Sequence, residues 1–111
     1  MGCCMIETAF GSLEEAKKVI DILLKEKLVA SCQMIESSSK WSWKNELEES
    51  KEYLVFMKTK KELTKEIFET IKRIHSYECF EFAIFELDNR NEDYLKWIEE
   101  ETKWLKILFL I

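Results

Sequence analysis

The sequence predicts an α+β fold with the chain order βαββαβ, a long hairpin between the second and third strands, and an extra C-terminal helix. Three observations carry this. Two halves of the chain repeat one strand–helix–strand grammar, an extended stretch of 17 residues (28–44) separates the two helical patterns, and a third capped helical pattern follows the last strand. With 111 residues, 47% hydrophobic and 35% charged, residues 1–111 form one domain with a real core.

Residues 3–10 are short, apolar-rich and β-prone, and the strand stops at Gly11. Ser12 then precedes Glu15 by three positions, the capping-box spacing that opens a helix. Ala16, Val19, Ile20, Leu23 and Leu24 recur at helical spacing and carry that helix to about Lys27. Residues 28–44 read as extended, with Val29, Ala30, Cys32, Met34 and Ile35 ahead of a serine run and then Trp41 and Trp43. Strands average about 5–6 residues, so this one must project beyond the domain or bulge, and "ESSS" is the expected bulge. After a turn near Asn45, "EYLVFMK" pairs back antiparallel. Thr59 and Glu62 repeat the capping-box spacing, and Leu63, Ile67, Ile71 and Ile74 mark a second helix ending close to His75. "KTKKELTK" then reads as the solvated first turns of that helix, and "ECFEFAIFEL" as the following strand. Asn91 caps a third helix through Tyr94, Leu95 and Ile98. Right-handed crossovers of two such units give an antiparallel four-stranded sheet with both main helices on one face, the ferredoxin-like sandwich. That fold hosts many unrelated functions.

Net charge is −5, with Lys and Arg scattered among Glu, so a phosphate backbone gains little here and nucleic acid is excluded as a partner. No run approaches the roughly 20 apolar residues of a membrane span, and no signal-peptide order opens the chain. The expectation is a soluble, cytoplasmic protein whose four cysteines are reduced thiols. Cys3 and Cys4 are adjacent, so on a strand they point to opposite faces and do not form a chelating pair.

Several blocks in order carry a resemblance: "VASCQMI", "WKNEL", "FMKTKKEL", "HSYECFEF" and "NEDYLKWI". Over roughly residues 5–100 the chain resembles the CutA divalent-ion tolerance family. The resemblance implies a ferredoxin-like protomer in a tight homotrimer reminiscent of the PII signalling proteins. It also implies an association with copper and other divalent cations, and no enzymatic activity. Where that family shows prolines, this chain has Ser76 and Phe80, and it contains no proline at all, so the segment is expected to be less rigid. The glycine of the family's Trp-x-Gly turn is Asn45 here, the non-glycine residue that best tolerates positive φ.

The segment "IHSYECFEF" concentrates the polar chemistry. One reading has His75 terminate the helix near the negative end of its dipole while Tyr77 and Glu78 satisfy backbone groups at a helix-to-strand junction. The other, implied by the resemblance, places His75, Tyr77 and Glu78 with Trp43 and Lys58 in a ligand cleft between subunits. Cys79 as a nucleophile with His75 as its base lacks the required proximity, and Glu78 with Glu81 fails as an acid–base pair because strand residues three apart face opposite ways. Cys32, Cys79 and His75, with Met34, offer soft donors for copper, although no CxxC or HxxxH spacing joins them; otherwise Cys32 is a small buried hydrophobe. Trp41 and Trp43 share a face and are expected at an interface. Two function classes follow: a trimeric regulatory module that binds a small ligand or protein partner, and a carrier of copper or another divalent ion. The apolar tail "KWLKILFLI" (103–111) is expected to dock on the body or on a neighbouring subunit.

Overall fold

The computed structural model describes residues 2–104. The elements are β1 (Cys3–Phe10), α1 (Leu13–Lys25), β2 (Ser31–Trp43), β3 (Glu46–Lys60), a 3-10 turn (Lys61–Leu63), α2 (Thr64–Lys72), β4 (Ala83–Glu86) and α3 (Glu92–Glu101). The four strands form one antiparallel sheet in the order β2-β3-β1-β4, the βαββαβ arrangement expected from the sequence. Cys4, Ile6 and Phe10 of β1 and Val55 and Met57 of β3 turn one way, against Val19 and Leu23 of α1 and Ile67 and Ile71 of α2. Alternation sends Cys3, Met5, Glu7 and Ala9 to the opposite face. There α3 covers one end: the Cys3 thiol meets the Leu95 carbonyl at 3.9 Å, and Lys60 Nζ donates to Thr102 O at 3.1 Å.

The caps at Ser12 and Asn91 form as expected: the Glu15 N–H donates to Ser12 Oγ at 3.3 Å and the Asp93 N–H to Asn91 Oδ1 at 3.1 Å. The second capping box does not form. Thr59 is still in β3, paired with Cys4, and its hydroxyl donates to Leu28 O at 2.6 Å inside the core. The strand ladder engages Thr59 before a helix can begin, and α2 starts at Thr64 with no side-chain cap. Lys60 is therefore a buried strand residue and not part of a solvated helical turn.

The serine run contains no bulge. Pairing runs unbroken from Ser31 opposite Lys58 to Trp43 opposite Glu46, so the extra length projects as a hairpin, and the molecule measures 50 Å along its longest axis. Lys44 and Asn45 close the hairpin, both at positive φ (50° and 69°), as two-residue turns matching the strand twist require. The last strand is shorter than its sequence pattern: only Ala83–Glu86 pairs with β1. Phe80 and Phe82 instead pack on Phe68 of α2, with ring centroids 5.5 and 5.2 Å away, which draws the chain off the sheet edge.

Candidate functional site

The loop between α2 and β4 builds the site from His75 outward. The helix ends as the His75 N–H donates to Ile71 O at 2.8 Å, and the imidazole, fully buried, turns to β1. Nε2 lies 2.7 Å from Ala9 O, and Nδ1 accepts the Tyr77 N–H at 3.1 Å. A carbonyl only accepts and an amide N–H only donates, so the tautomer protonated on Nε2 satisfies both bonds at once, with Glu15 Oε2 3.4 Å from Nδ1. Phe10 stacks on one side at 4.5 Å and Phe80 on the other at 4.7 Å. Phe80 thus clamps the loop where the resemblance led one to expect a proline. Glu15 Oε2 completes the junction by accepting from the Ser76 N–H at 3.1 Å. His75 is a keystone of the helix-to-strand junction: its backbone closes the helix end on Ile71 O while its side chain bonds to a carbonyl of β1.

Tyr77 leans from this keystone toward the hairpin. Its hydroxyl donates to Glu52 Oε2 at 2.8 Å, and burial, then that bond, pushes its own ionisation up to about 12. The ring lies so close to Gly11 that a β-carbon there would stand 2.8 Å from Tyr77 Oη, so the glycine is required by contact. Glu52, on β3, is 8% exposed. Beside it, burial together with a hydrogen bond to Glu7 and the charges of Glu7 and Glu52 raises the Glu81 carboxyl to about 7.

Where the hairpin meets the loop, Trp41, Trp43, Glu48, Tyr77, Glu78 and Cys79 line a groove of about 350 Å³. An adjoining groove of about 410 Å³ shares both tryptophans, Tyr77 and Cys79 and adds Glu52, Glu81 and Lys40. Of the five residues expected in a ligand cleft, Trp43, Tyr77 and Glu78 come together directly and His75 supports them from below. Lys58 does not join them within one chain. It donates to Gln33 Oε1 at 3.1 Å and sits twelve β3 positions from Glu46, the partner of Trp43, which is about 40 Å of strand. Sequence reasoning assigned Trp41 to packing and passed over Glu48, Glu52 and the contact role of Gly11. The alternation of Trp41 with Trp43 was the signal available for the first, and the long-range contacts behind the others leave no local pattern.

The proposed metal donors are not gathered. Both His75 nitrogens are engaged, Cys32 packs against the core with its thiol pushed up to about 12 by burial, and Cys79 is exposed in the groove. Among the described residues no three His, Cys, Asp or Glu side chains form a group able to hold a metal ion. Within one chain the donor set Cys32, His75 and Cys79 does not fit a resident copper or divalent ion.

Comparison with known proteins places this geometry. The family model for the CutA1 divalent ion tolerance protein matches residues 4–101. The divalent-cation tolerance protein CutA of Pyrococcus horikoshii is 39% identical over 99 residues, covering 89% of this chain and 97% of that protein. The crystal structure of CutA1 from Pyrococcus horikoshii superimposes with a TM-score of 0.86 at 38% identity, over 91% of this chain and 99% of that one. The structure of the CutA of Archaeoglobus fulgidus, described as a periplasmic divalent cation tolerance protein, gives a TM-score of 0.88 at 27% identity, with 91% and 99% covered. The strand order, the long hairpin and the aromatic groove between the hairpin and the loop after α2 are thus found in a chain that belongs to the CutA1 divalent ion tolerance protein family.

Proposed function

We propose that this chain acts in the response to divalent metal ions as a non-enzymatic homotrimeric module, similar in role to the PII signalling proteins, that binds a small ligand or protein partner in the groove between its hairpin tryptophans and the loop after α2. One observation carries the reading: the sheet face opposite α1 and α2 is only partly covered by α3. Ile35 is 55% and Phe85 46% exposed there, with Leu54 and Phe56 between them on the same face. An apolar face beside a long projecting hairpin favours burial against further copies, and a closed ring buries it without leaving a free edge. In such a ring a neighbour's Lys58 could approach the Trp43 groove, which one chain's ladder forbids. The engagement of both His75 nitrogens supports a binding role over catalysis, since it removes the base that a Cys79 nucleophile would need. Four free thiols support a reducing cytoplasmic compartment, and no described helix is long and apolar enough to cross a membrane.

Light scattering on the full chain tests the assembly. Three times 13.4 kDa, about 40 kDa, is expected, and a stable monomer at micromolar concentration ends the reading. Metal analysis of protein purified without added ions tests the carrier alternative. One copper or other divalent ion per chain, lost in Cys32→Ser or Cys79→Ser, would favour a carrier over a module.

A further inference from the structure

His75 Nδ1 faces a donor and an acceptor at once. The Tyr77 N–H donates to it at 3.1 Å, and the Glu15 carboxylate oxygen Oε2 lies 3.4 Å away. A ring nitrogen answers only one of the two at a time. With a lone pair it accepts from Tyr77 and meets Glu15 acceptor to acceptor; with a proton it donates to Glu15 and meets Tyr77 donor to donor. Nε2 is held 2.7 Å from Ala9 O, and Phe10 and Phe80 sandwich the ring, so the imidazole is kept where both partners reach it.

The charged groups around the ring come from few elements. α1 brings Glu15, which among the described residues forms no ion pair with a lysine or arginine. β1 brings the Ala9 carbonyl and the Phe10 ring. The end of α2 brings only backbone, because Arg73 turns its guanidinium to Thr70 Oγ1 at 3.4 Å. The loop brings Tyr77 and Phe80, and behind Tyr77 stand Glu52 of β3 and then Glu81 with Glu7. A positive charge in a place so fully buried is costly alone, and the Glu15 carboxylate is the counter-charge already in position.

The choice at Nδ1 matters because of what Tyr77 holds. Its hydroxyl donates to Glu52 at 2.8 Å, its ring rests on Gly11, and with Ser76, Glu78 and Cys79 it forms the loop wall of the groove opposite Trp41 and Trp43. The Ser76 N–H and Oγ share the same Glu15 oxygen, at 3.1 and 3.3 Å. All the partners of Nδ1 belong to one chain and surround a buried ring, so they stand whatever the groove faces in an assembly.

We propose that protonation of His75 is a switch on this groove: the imidazolium exchanges the Tyr77 N–H for the Glu15 carboxylate at Nδ1, and the released Tyr77 backbone displaces the loop wall. The inference deepens the reading of the groove as the ligand site of the module by adding its regulation, and its test uses no ligand, so the two can fail separately.

His75 is the only histidine of the chain, which gives its ring nitrogens unambiguous NMR signals. They are followed in the full chain from about pH 8 to about pH 5, the range in which imidazole titrates. Nδ1 is expected to pass from an unprotonated to a protonated shift. Over the same pH interval the Tyr77 amide should lose about tenfold of its protection from hydrogen exchange, the measure of one lost hydrogen bond, after correction for the ordinary pH dependence of exchange. The indole N–H signals of Trp41 and Trp43 should shift with it. Glu15→Gln keeps an acceptor for Ser76 and removes the counter-charge, so the whole transition should move to lower pH. Circular dichroism and particle mass establish that the variant folds and assembles as the parent does, and the wild-type readouts stand without it. A ring that does not protonate in this range would overturn the switch, as would protonation that leaves the Tyr77 amide protected. A Glu15→Gln transition at the wild-type pH would remove Glu15 as the receiving group and refute the exchange. Tryptophan signals that stay still while Tyr77 responds would confine the event to the junction and refute control of the groove. In each of these outcomes a particle of about three chains would leave the assembly reading intact.

Discussion

Lys27 occupies the left-handed region at φ 58°, one residue past the C-cap of α1, a position usually given to glycine. Two bonds hold it there: the Lys27 N–H donates to Leu24 O at 3.1 Å and the Leu28 N–H to Leu23 O at 2.9 Å, the paired closure of a Schellman motif. Replacing Lys27 by glycine removes the Cβ penalty and adds some unfolded-chain entropy, for a net gain of about 0.5–1 kcal/mol. Thermal unfolding of Lys27→Gly should show a midpoint several degrees higher. Glu81 supplies a second residue-level expectation. Its carboxyl, raised from 4.5 to about 7, binds its proton more tightly in the native state than in the unfolded chain. Its contribution is therefore complete below about pH 4.5 and is lost as pH rises through about 7. Urea unfolding of wild type and Glu81→Gln at about pH 5 and about pH 8 should show the variant gaining relative to wild type at the higher pH, and parallel behaviour would discount the Glu7–Glu81 contact. At this scale the sequence identified where the polar residues gather but not what they face. His75 reads as a helix terminator because its partner, Ala9, is 66 positions away.

At the scale of elements, identical local patterns had opposite fates. Ser12–Glu15 and Thr59–Glu62 share the capping spacing, yet only Ser12 caps a helix, because Thr59 is held by the β1–β3 ladder and by Leu28. Local spacing names a competent residue, and tertiary pairing decides whether it is used. Ser12→Ala is expected to cost about 1 kcal/mol in thermal or urea unfolding through the loss of this cap. An unchanged stability would mean that solvent caps α1 equally well. Both helical stripes, the Asn91 cap and the hairpin were legible because amphipathic periodicity and alternation are local signals. The length of β4 was not. Its predicted ten-residue run alternates well, but Phe80 and Phe82 find better burial against Phe68 than the sheet edge offers.

For the whole molecule, the expected consequence of the partly uncovered sheet face is association. Phe85→Glu places a charge on the β4 edge of that face without touching the helical core, since Phe85 is 46% exposed in the single chain. Light scattering should fall from about 40 kDa toward 13.4 kDa while circular dichroism keeps its α+β signature. A variant that stays trimeric would move the interface off this face. The apolar tail expected to dock lies mostly outside the described residues. Its first residues are anchored, Lys103 N–H to Lys27 O at 2.8 Å and Lys60 Nζ 3.9 Å from the Trp104 ring centroid. The hairpin has a consequence for descent. Because its ladder never slips, it is a ruler graduated in residue pairs, each worth about 3.4 Å of reach. Removing one facing pair, such as Ser39 with Ser50, would turn Trp41 and Trp43 to the other side of the sheet. Removing a second, Ser38 with Lys51, would turn them back, on an arm shorter by about 7 Å. An arm built this way changes length across generations only in even steps, and the aromatic pair it carries is inherited as a parity rather than as a distance.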